Sequence, residues 1–383
     1  MGKLEQHHLT SRRNSSIELL KIIGIILVVT NHVVQTLCTT SEYIMENDYV
    51  LDISMATTNI QYLILALFQY SGMLGNTIFF ICSAWFLVDN DKVSKEKILH
   101  ILMDVWVISI TILMLVYIIR GGNIGIKMII KQIFPTTFEN NWYITCYLIF
   151  YPLHPYLNCI IKKMEQKTLL RTTLTLLIMY VGVNYVLPGR FFSSIIILWV
   201  TLYFTIAYMK YFLIGLSNNI RVNILMLGIG FAGNTGIVLL TNFLGLKFGI
   251  FSDCLLRWNS NDNPFLLLAA VSMLNIAKYV HFENRIVNYI SGLSLLIYLF
   301  HENLLLRTFY RPLMWNYVYN QFGYENILVW MFALVAIVFG FGLIASMIYE
   351  RTIQKIVTIV CNWLYPILQK YYKRIETNIL KFR

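Results

Sequence analysis

Charged residues are scarce in this chain. Only 13% of its 383 residues are Asp, Glu, Lys or Arg, whereas 58% are hydrophobic and the mean hydropathy is +0.64. A soluble domain carries about 25% charged residues. The deficit argues against a soluble protein and predicts an all-α polytopic bundle in a lipid bilayer, because helices satisfy their own backbone polar groups there.

Sequence motifs for metal ions and nucleotides are missing as well. The six cysteines are scattered without a CxxC pair, and no HExxH, GxxxxGK[ST] or GxGxxG pattern occurs. We therefore expect no metal site and no bound cofactor. Cys38 and Cys254 are the one candidate disulfide, on the condition that both face the same side of the membrane.

Apolar segments of about 20 residues, the length that crosses a bilayer, recur along the chain. Ten spans are predicted near residues 16–37, 68–88, 98–119, 141–161, 169–187, 193–216, 221–245, 264–280, 286–306 and 325–349. The 60–70 stretch is expected to lengthen the second span or to lie in the membrane interface. No small-residue cleavage site follows the first apolar run, which indicates a retained span and not a signal peptide.

The basic residues predict the orientation of these spans. The net charge of +11 arises from short clusters between apolar segments, which the positive-inside rule explains without nucleic acid as a partner. With the N-terminus inside, 22 of the 30 Lys and Arg lie on the cytoplasmic side, so both termini are predicted to be cytoplasmic. The 120–140 loop departs from the rule, since Arg120, Lys127 and Lys131 fall outside; its "IGIKMIIKQIF" suits a short amphipathic helix.

The chain is predicted to divide into a membrane domain over residues 1–350 and a basic tail over residues 351–383. The tail mixes apolar and basic residues, which favours an amphipathic helix in the cytoplasmic interface, attracted to anionic lipid. Pro366 is expected to break this helix.

The first span carries two titratable groups, in "KIIGIILVVTNH" from Lys21 to His32. Eleven helical steps place both side chains on one face, about 16 Å apart along the axis. Intramembrane ionisable residues are functional candidates by default. The alternatives are a histidine bonded to a neighbouring carbonyl and a lysine that reaches the lipid phosphates.

Two other spans bring polar groups to the depth of His32. The ninth ends in "LLIYLFHENLLLR" and the fourth begins with "NNWYITCY", so both deliver polar side chains to the outer end. His301 and Glu302 diverge by about 100° on a helix, so Glu302 is expected to orient another group or to bond across to another helix. Buried polar residues elsewhere in the spans are expected to form interhelical hydrogen bonds, namely Asp104, Asn184, Asn234 and Asn275.

A neutral histidine in such a group suits general-base catalysis on a sugar hydroxyl that attacks an activated acyl group. A carboxylate would fix its tautomer, and basic residues at the cytoplasmic end would hold the phosphates of an acyl-CoA. A secondary transporter or glycan flippase would use the same buried groups, but inverted repeats are not evident. A non-catalytic partner in an envelope complex is the third reading.

These segments resemble a known family. "RNSSIELLKIIGIILVVTNH" is similar to the first span of the bacterial acyltransferase-3 membrane family, in which Arg or Lys precedes His by eleven positions, as Lys21 precedes His32. "FFICSAWFLV" resembles its second span, with Ala84 where Gly is usual; "NNWYITCYLIFYPLHPYLN" and "LIYLFHENLLLR" resemble two further motifs. The likeness extends over residues 13–370, and Arg13 and Glu18 match charged positions before the first span.

The resemblance implies a membrane O-acyltransferase. Its members move an acyl group, commonly acetyl from cytoplasmic acetyl-CoA, to a hydroxyl of a lipid-linked or exported glycan. The expected location is the bacterial cytoplasmic membrane, and the expected acceptor is a capsule, exopolysaccharide or related polysaccharide. The sequence leaves the acyl group (acetyl or succinyl), the acceptor sugar and the oligomeric state open. The "DKVSKEK" loop lacks the arginines of many members, which leaves donor contacts there undefined.

Residue roles follow from the same resemblance for Arg13, Lys21, His32, Trp142 and His301, and from the shared depth of the polar groups for the other residues. His32 would be the catalytic base, with His301 and Glu302 in the catalytic group, and Lys21 and Arg13 would bind the acyl donor. The residues expected to line the reaction chamber are Asn31, Asn141, Trp142 and Asn303.

Overall fold

The computed structural model describes residues 14–38, 51, 59–138, 140–186, 194–248 and 260–381. These residues form helices and no strands. The helices of eight residues or more are α1 Ser15–Leu37, α2 Ile60–Gln69, α3 Ser71–Leu87, α4 Lys95–Ile119, α5 Ile126–Ile133, α6 Trp142–Lys163, α7 Gln166–Val186, α8 Ile195–Phe212, α9 Ile220–Phe248, α10 Pro264–Tyr279, α11 Arg285–Gly292, α12 Ser294–His301, α13 Arg311–Phe322, α14 Ile327–Arg351 and α15 Ile353–Lys381. Short helical segments occur at Ile214–Ser217 and Leu306–Tyr310. Arg13, Cys254 and the acidic loop after α1 lie outside the described residues.

The predicted membrane bundle is confirmed. Within the described ranges, eight helices are long and apolar enough to cross a bilayer, with α2 and α3 together forming one of them. The eighth predicted span is the shorter helix Pro264–Tyr279. The ninth is divided into α11 and α12 at Leu293, after Gly292, so it approaches the site as two short helices.

Helix α1 is the centre of the bundle. It contacts α2, α3, α10, α11, α12, α13 and α14, because most of its residues are apolar and buried against neighbouring helices. Its closest neighbour is α3, and a Cβ on Gly75 would lie 2.5 Å from the carbonyl oxygen of Gly24. Only glycine permits this approach of two backbones, which fixes α1 in depth and rotation.

Contacts at one end of the bundle bring the start of α1 and the end of α14 together. Ser15 bonds to Asn288 of α11 at 2.8 Å, and Tyr289 of α11 bonds to Glu350 of α14 at 2.7 Å. We name this end the inner end, following the predicted cytoplasmic orientation of the termini, and the opposite end the outer end.

The polar residues predicted to join helices do so. Asn234 accepts from Asn263 at 3.0 Å, Asn275 donates to Asn223 at 2.9 Å, and Asn184 donates to Asp262 at 3.0 Å. Asp104 accepts from Tyr349 at 2.8 Å and from Gln354 at 3.0 Å, which ties the start of α15 to α4.

Two predictions on the connecting segments have different outcomes. The short helix in the 120–140 loop is confirmed as α5, whose Gln132 is buried at the outer end. The break at Pro366 is wrong, since α15 continues through it as one helix. Proline removes one backbone hydrogen bond, a loss that an exposed helix offsets with solvent, and the residues around Pro366 are largely exposed.

Candidate active site

Three polar side chains from two helices meet at the outer end of the bundle. His32 of α1 places Nδ1 2.9 Å from Oε2 of Glu302 and 3.2 Å from Nε2 of His301. His301 is the last residue of α12 and Glu302 caps that helix. Glu302 thus bonds across to another helix, as its divergence from His301 indicated.

The hydrogen bonds assign the proton positions of both imidazoles. His301 Nδ1 lies 2.8 Å from the carbonyl oxygen of Ile297, which only accepts, so Nδ1 of His301 carries the proton. The Nε2 of neutral His301 is then an acceptor. His32 Nδ1 therefore faces two acceptors and carries a proton itself, which leaves the lone pair of neutral His32 on Nε2. No described residue forms a hydrogen bond with Nε2 of His32.

Two arginines that sequence reasoning missed complete the group. Arg307 donates to Oε1 of Glu302 at 2.6 Å, and Arg311 donates to Oε2 at 3.0 Å. Arg311 is buried and also donates to the carbonyl oxygen of His301. Both arginines follow α12 within ten residues. The charge count assigns them to the outer side, against the positive-inside rule, and this exception is the signal that could have identified them.

The path from Lys21 to His32 follows one stripe of α1. Lys21, Ile25 and Val28 line a cavity of about 300 Å³, and His32 is the next residue of the same stripe, one turn further. The opposite wall carries Ser291, Ser294 and Tyr298, with Tyr143 and Ile144 of α6 near the outer end. Tyr298 contacts His301 ring to ring at 5.8 Å, so the outer end of the cavity lies one side chain away from the histidine pair.

The inner end of this cavity is basic. Lys21 pairs with Glu18 at 3.2 Å, and Ser291 also donates to Glu18. Lys97 of α4 lies across the cavity and donates to the hydroxyl of Tyr147 at 3.1 Å. Two ammonium groups thus flank the mouth, and the carboxylate on this side is held by Lys21 and Ser291.

Two hydroxyls in the cavity wall have no partner. Ser294 Oγ and Tyr298 OH are buried without a hydrogen bond to any described residue. A buried hydroxyl without a partner costs free energy, about 1–3 kcal/mol by mutational data. Both side chains lie on α12 and line the cavity, so a polar ligand there would satisfy them.

The residues expected to line the reaction chamber are dispersed. Asn31 accepts from the backbone N–H of Gly72 at 3.4 Å, because it lies one residue before His32 and faces α3. Asn303 accepts from Gln132 of α5 at 2.8 Å. Asn141 is buried with an unpartnered Oδ1, and Trp142 packs edge-on against Tyr143.

A metal ion is the other occupant to consider for the histidine pair. One ligand atom each from His32, His301 and Glu302 lies within 4.8 Å of the others. Both carboxylate oxygens of Glu302 already accept from guanidinium groups, which would repel a divalent cation. We interpret the group as a hydrogen-bonded network for this reason.

Comparison with known proteins gives one result. A family model described as an acyltransferase domain, Acyl_transf_3, matches residues 14–354, nearly the whole chain. No curated protein and no solved structure matches. The matched range includes His32, Glu302 and both arginines.

Glu302→Gln is expected to lower kcat about 10²- to 10⁴-fold, with little change in the KM of the acyl donor or of the acceptor. The amide can present an N–H to Nδ1 of His32, which favours the wrong tautomer, and it cannot balance an imidazolium. Initial rates of acyl transfer at saturating substrates measure the effect.

Glu325→Gln, an exposed carboxylate between α13 and α14, is the matched control and should keep the parent rate. A folded, monodisperse Glu302→Gln protein with kcat within threefold of the parent would reject the orienting role.

Proposed function

The chain belongs to the acyltransferase-3 family, and from that premise we propose that it moves an acetyl group from cytoplasmic acetyl-CoA to a hydroxyl of a cell-surface or exported polysaccharide. It is a multi-pass membrane acyltransferase that acts on carbohydrates. The observation that carries the finer proposal is the open Nε2 of His32, one helical turn beyond a cavity that begins between Lys21 and Lys97. We name this cavity the donor cavity.

The chemistry assigns the proton at each stage. Nε2 of His32 takes the proton of the acceptor hydroxyl while the oxygen attacks the thioester carbon, and the carbonyl π bond opens to an oxyanion. When the C–S bond breaks, Nε2 returns the proton to the thiolate sulfur. The products are an O-acyl ester and free CoA thiol, so atoms and charges balance.

Glu302 and His301 are positioning residues in this scheme. Glu302 holds Nδ1 of His32 and balances the positive charge that His32 gains as it accepts the proton. Arg307 and Arg311 keep Glu302 ionised and fixed in place. His301 accepts from the same N–H, which limits rotation of the His32 ring.

The cavity suits the donor. It extends along α1 from Lys21 to Val28, about 10 Å, and His32 follows one turn further. Lys21 and His32 are thus about 16 Å apart along the axis, on the order of an extended pantetheine arm. Lys21 and Lys97 at the mouth suit the phosphates of CoA, while Ser294 and Tyr298 suit its amides or the thioester carbonyl. A donor in this position would bring its acyl group to the outer end from the cytoplasm.

The acceptor meets the acyl group at the outer end. With the inner end cytoplasmic, this places esterification on the outward side of a bacterial cytoplasmic membrane, where capsule and exopolysaccharide chains pass. The orientation rests on the distribution of basic residues.

His32→Ala should lower acyl transfer about a thousandfold or more while the protein still inserts and elutes as one species, because the base is removed and the fold is kept. The measurement is O-acetyl content of the glycan in cells, and in vitro release of CoA thiol with acceptor present. His281→Ala, an exposed histidine in the loop before α11, is the control and should match the parent. Parent-level acetylation by His32→Ala would reject the catalytic base.

Lys21→Ala should raise KM for acetyl-CoA about tenfold and change kcat far less, because one phosphate contact is lost at the mouth. Steady-state rates against donor concentration separate the two parameters. Lys92→Ala, an exposed lysine on the same side, is expected to leave KM unchanged. An unchanged donor KM in Lys21→Ala would reject the donor-binding role.

A further inference from the structure

A second, larger cavity has His301 in its lining and shares no lining residue with the donor cavity. It measures about 620 Å³ and lies between α4 and α14, with α12 and α13 along its outer part. On α4 it runs from Ile108 to Ile119 and on α14 from Ile337 to Tyr349, about 16–18 Å. We name it the apolar slot.

The lining of the apolar slot indicates which kind of molecule it can bind. Apart from Thr111, its long walls on α4 and α14 are apolar until Tyr349 at the inner end, so a glycan or a nucleotide would lose its hydrogen bonds there. A hydrocarbon chain loses none. The slot covers a little more than half of the ~30 Å hydrocarbon core, which suits one lipid tail that runs parallel to the helices.

The charged and imidazole side chains of the slot lie at its outer end. His301 and Arg311 line it there, and Tyr310 adds a buried hydroxyl that has no partner among the described residues. His301 is the residue that contacts Nδ1 of His32, so a molecule whose tail fills the slot has its polar end beside the catalytic base.

The outer mouth also carries an excess of positive charge. The guanidinium of Arg120, at the end of α4, lies 4.0 Å from the ring centre of Phe309. Phe309 lies between Arg307 and Arg311 in the sequence. Among the described residues, one carboxylate pairs with arginines of this group: Glu302, which contacts Arg307 and Arg311. They also break the positive-inside rule together, and an anionic ligand accounts for basic residues kept on that side.

We propose that the apolar slot holds the hydrocarbon chain of a lipid-linked acceptor, with its phosphate at the mouth near Arg120 and Arg307 and its sugar beside His32. The inference rests on the proposed function and names its acceptor class, a glycan on a polyprenyl phosphate or diphosphate. The polar side chains near His32 are bonded to one another, so few of them are left to bind a sugar. In this proposal the lipid supplies most of the binding energy, and the site has only to orient the sugar.

Ala345 gives the sharpest test, because it lines the slot on α14 and can be enlarged without touching the histidines. Binding of a fluorescent long-chain polyprenyl phosphate to the purified full chain in detergent micelles, without donor, is the measurement. Ala345→Phe should weaken binding about tenfold by blocking the slot, and Arg120→Gln about threefold, with the arginine effect lost at high salt. Ala336→Phe, the same change on the lipid-facing side of α14, is the matched control and should bind as the parent does.

Two results would overturn the proposal: parent-like binding by Ala345→Phe, or displacement of the probe by phosphatidylglycerol as effective as by unlabelled polyprenyl phosphate. The second would make the slot a general lipid site. His32→Ala should bind the probe as the parent does. Since binding is measured without acyl transfer, a failed slot leaves the acyltransferase proposal intact. A failed catalytic base likewise leaves the slot intact.

Discussion

The contact between His32 on α1 and Glu302 at the end of α12 is the constraint on which the site depends. Two helices far apart in sequence must agree in depth and rotation for Nδ1 and Oε2 to meet at 2.9 Å. Glycine contacts with α3 fix α1, and the break after Gly292 lets α12 approach at its own angle. Contacts from the buried Arg311 and from Arg307 then hold the carboxylate, so the imidazole ring has one tautomer and one orientation.

Two cavities lie near the histidine pair that this contact fixes at the outer end. The donor cavity follows the Lys21 stripe of α1 as far as Val28 and Tyr298, one turn before His32. The apolar slot reaches the same pair past His301 and Arg311. The histidine pair separates a wall with unpartnered hydroxyls from a wall of hydrocarbon, which suits a polar donor arm on one side and a lipid-borne acceptor on the other.

Much of this could be predicted from the sequence, for physical reasons. Apolar length determines the spans, and helical period alone puts Lys21 and His32 on one face, which the lining of the donor cavity follows. The Glu302 contact was expected only as a bond to some other helix. Arg307 and Arg311 were missed because their partner, Glu302, lies at the end of the preceding helix. Whether they reach it depends on how the chain turns after His301. That turn includes a π-helical segment at Leu306–Tyr310, which no local sequence pattern predicts. The apolar slot was missed because it is a gap between α4 and α14, and hydropathy is the same whether a lipid or a helix fills the space.

The positive-inside exceptions show how a departure from a rule becomes informative. Arg120 was an anomaly in the charge count, and in the folded chain it lies against Phe309, in the segment between the two arginines that hold Glu302. These basic residues lie at the end of the bundle where Glu302 is held in place, and where the proposed acceptor would present its phosphate.

The protonation state of His32 tests the central claim most directly. Nitrogen NMR of the chain with ¹⁵N-labelled histidine side chains, in detergent or lipid discs, distinguishes protonated from bare ring nitrogens, and His32→Gln identifies the His32 signals by their loss. The account predicts that neutral His32 carries its proton on Nδ1 and a free lone pair on Nε2. A proton on Nε2 in the folded, neutral state would contradict it.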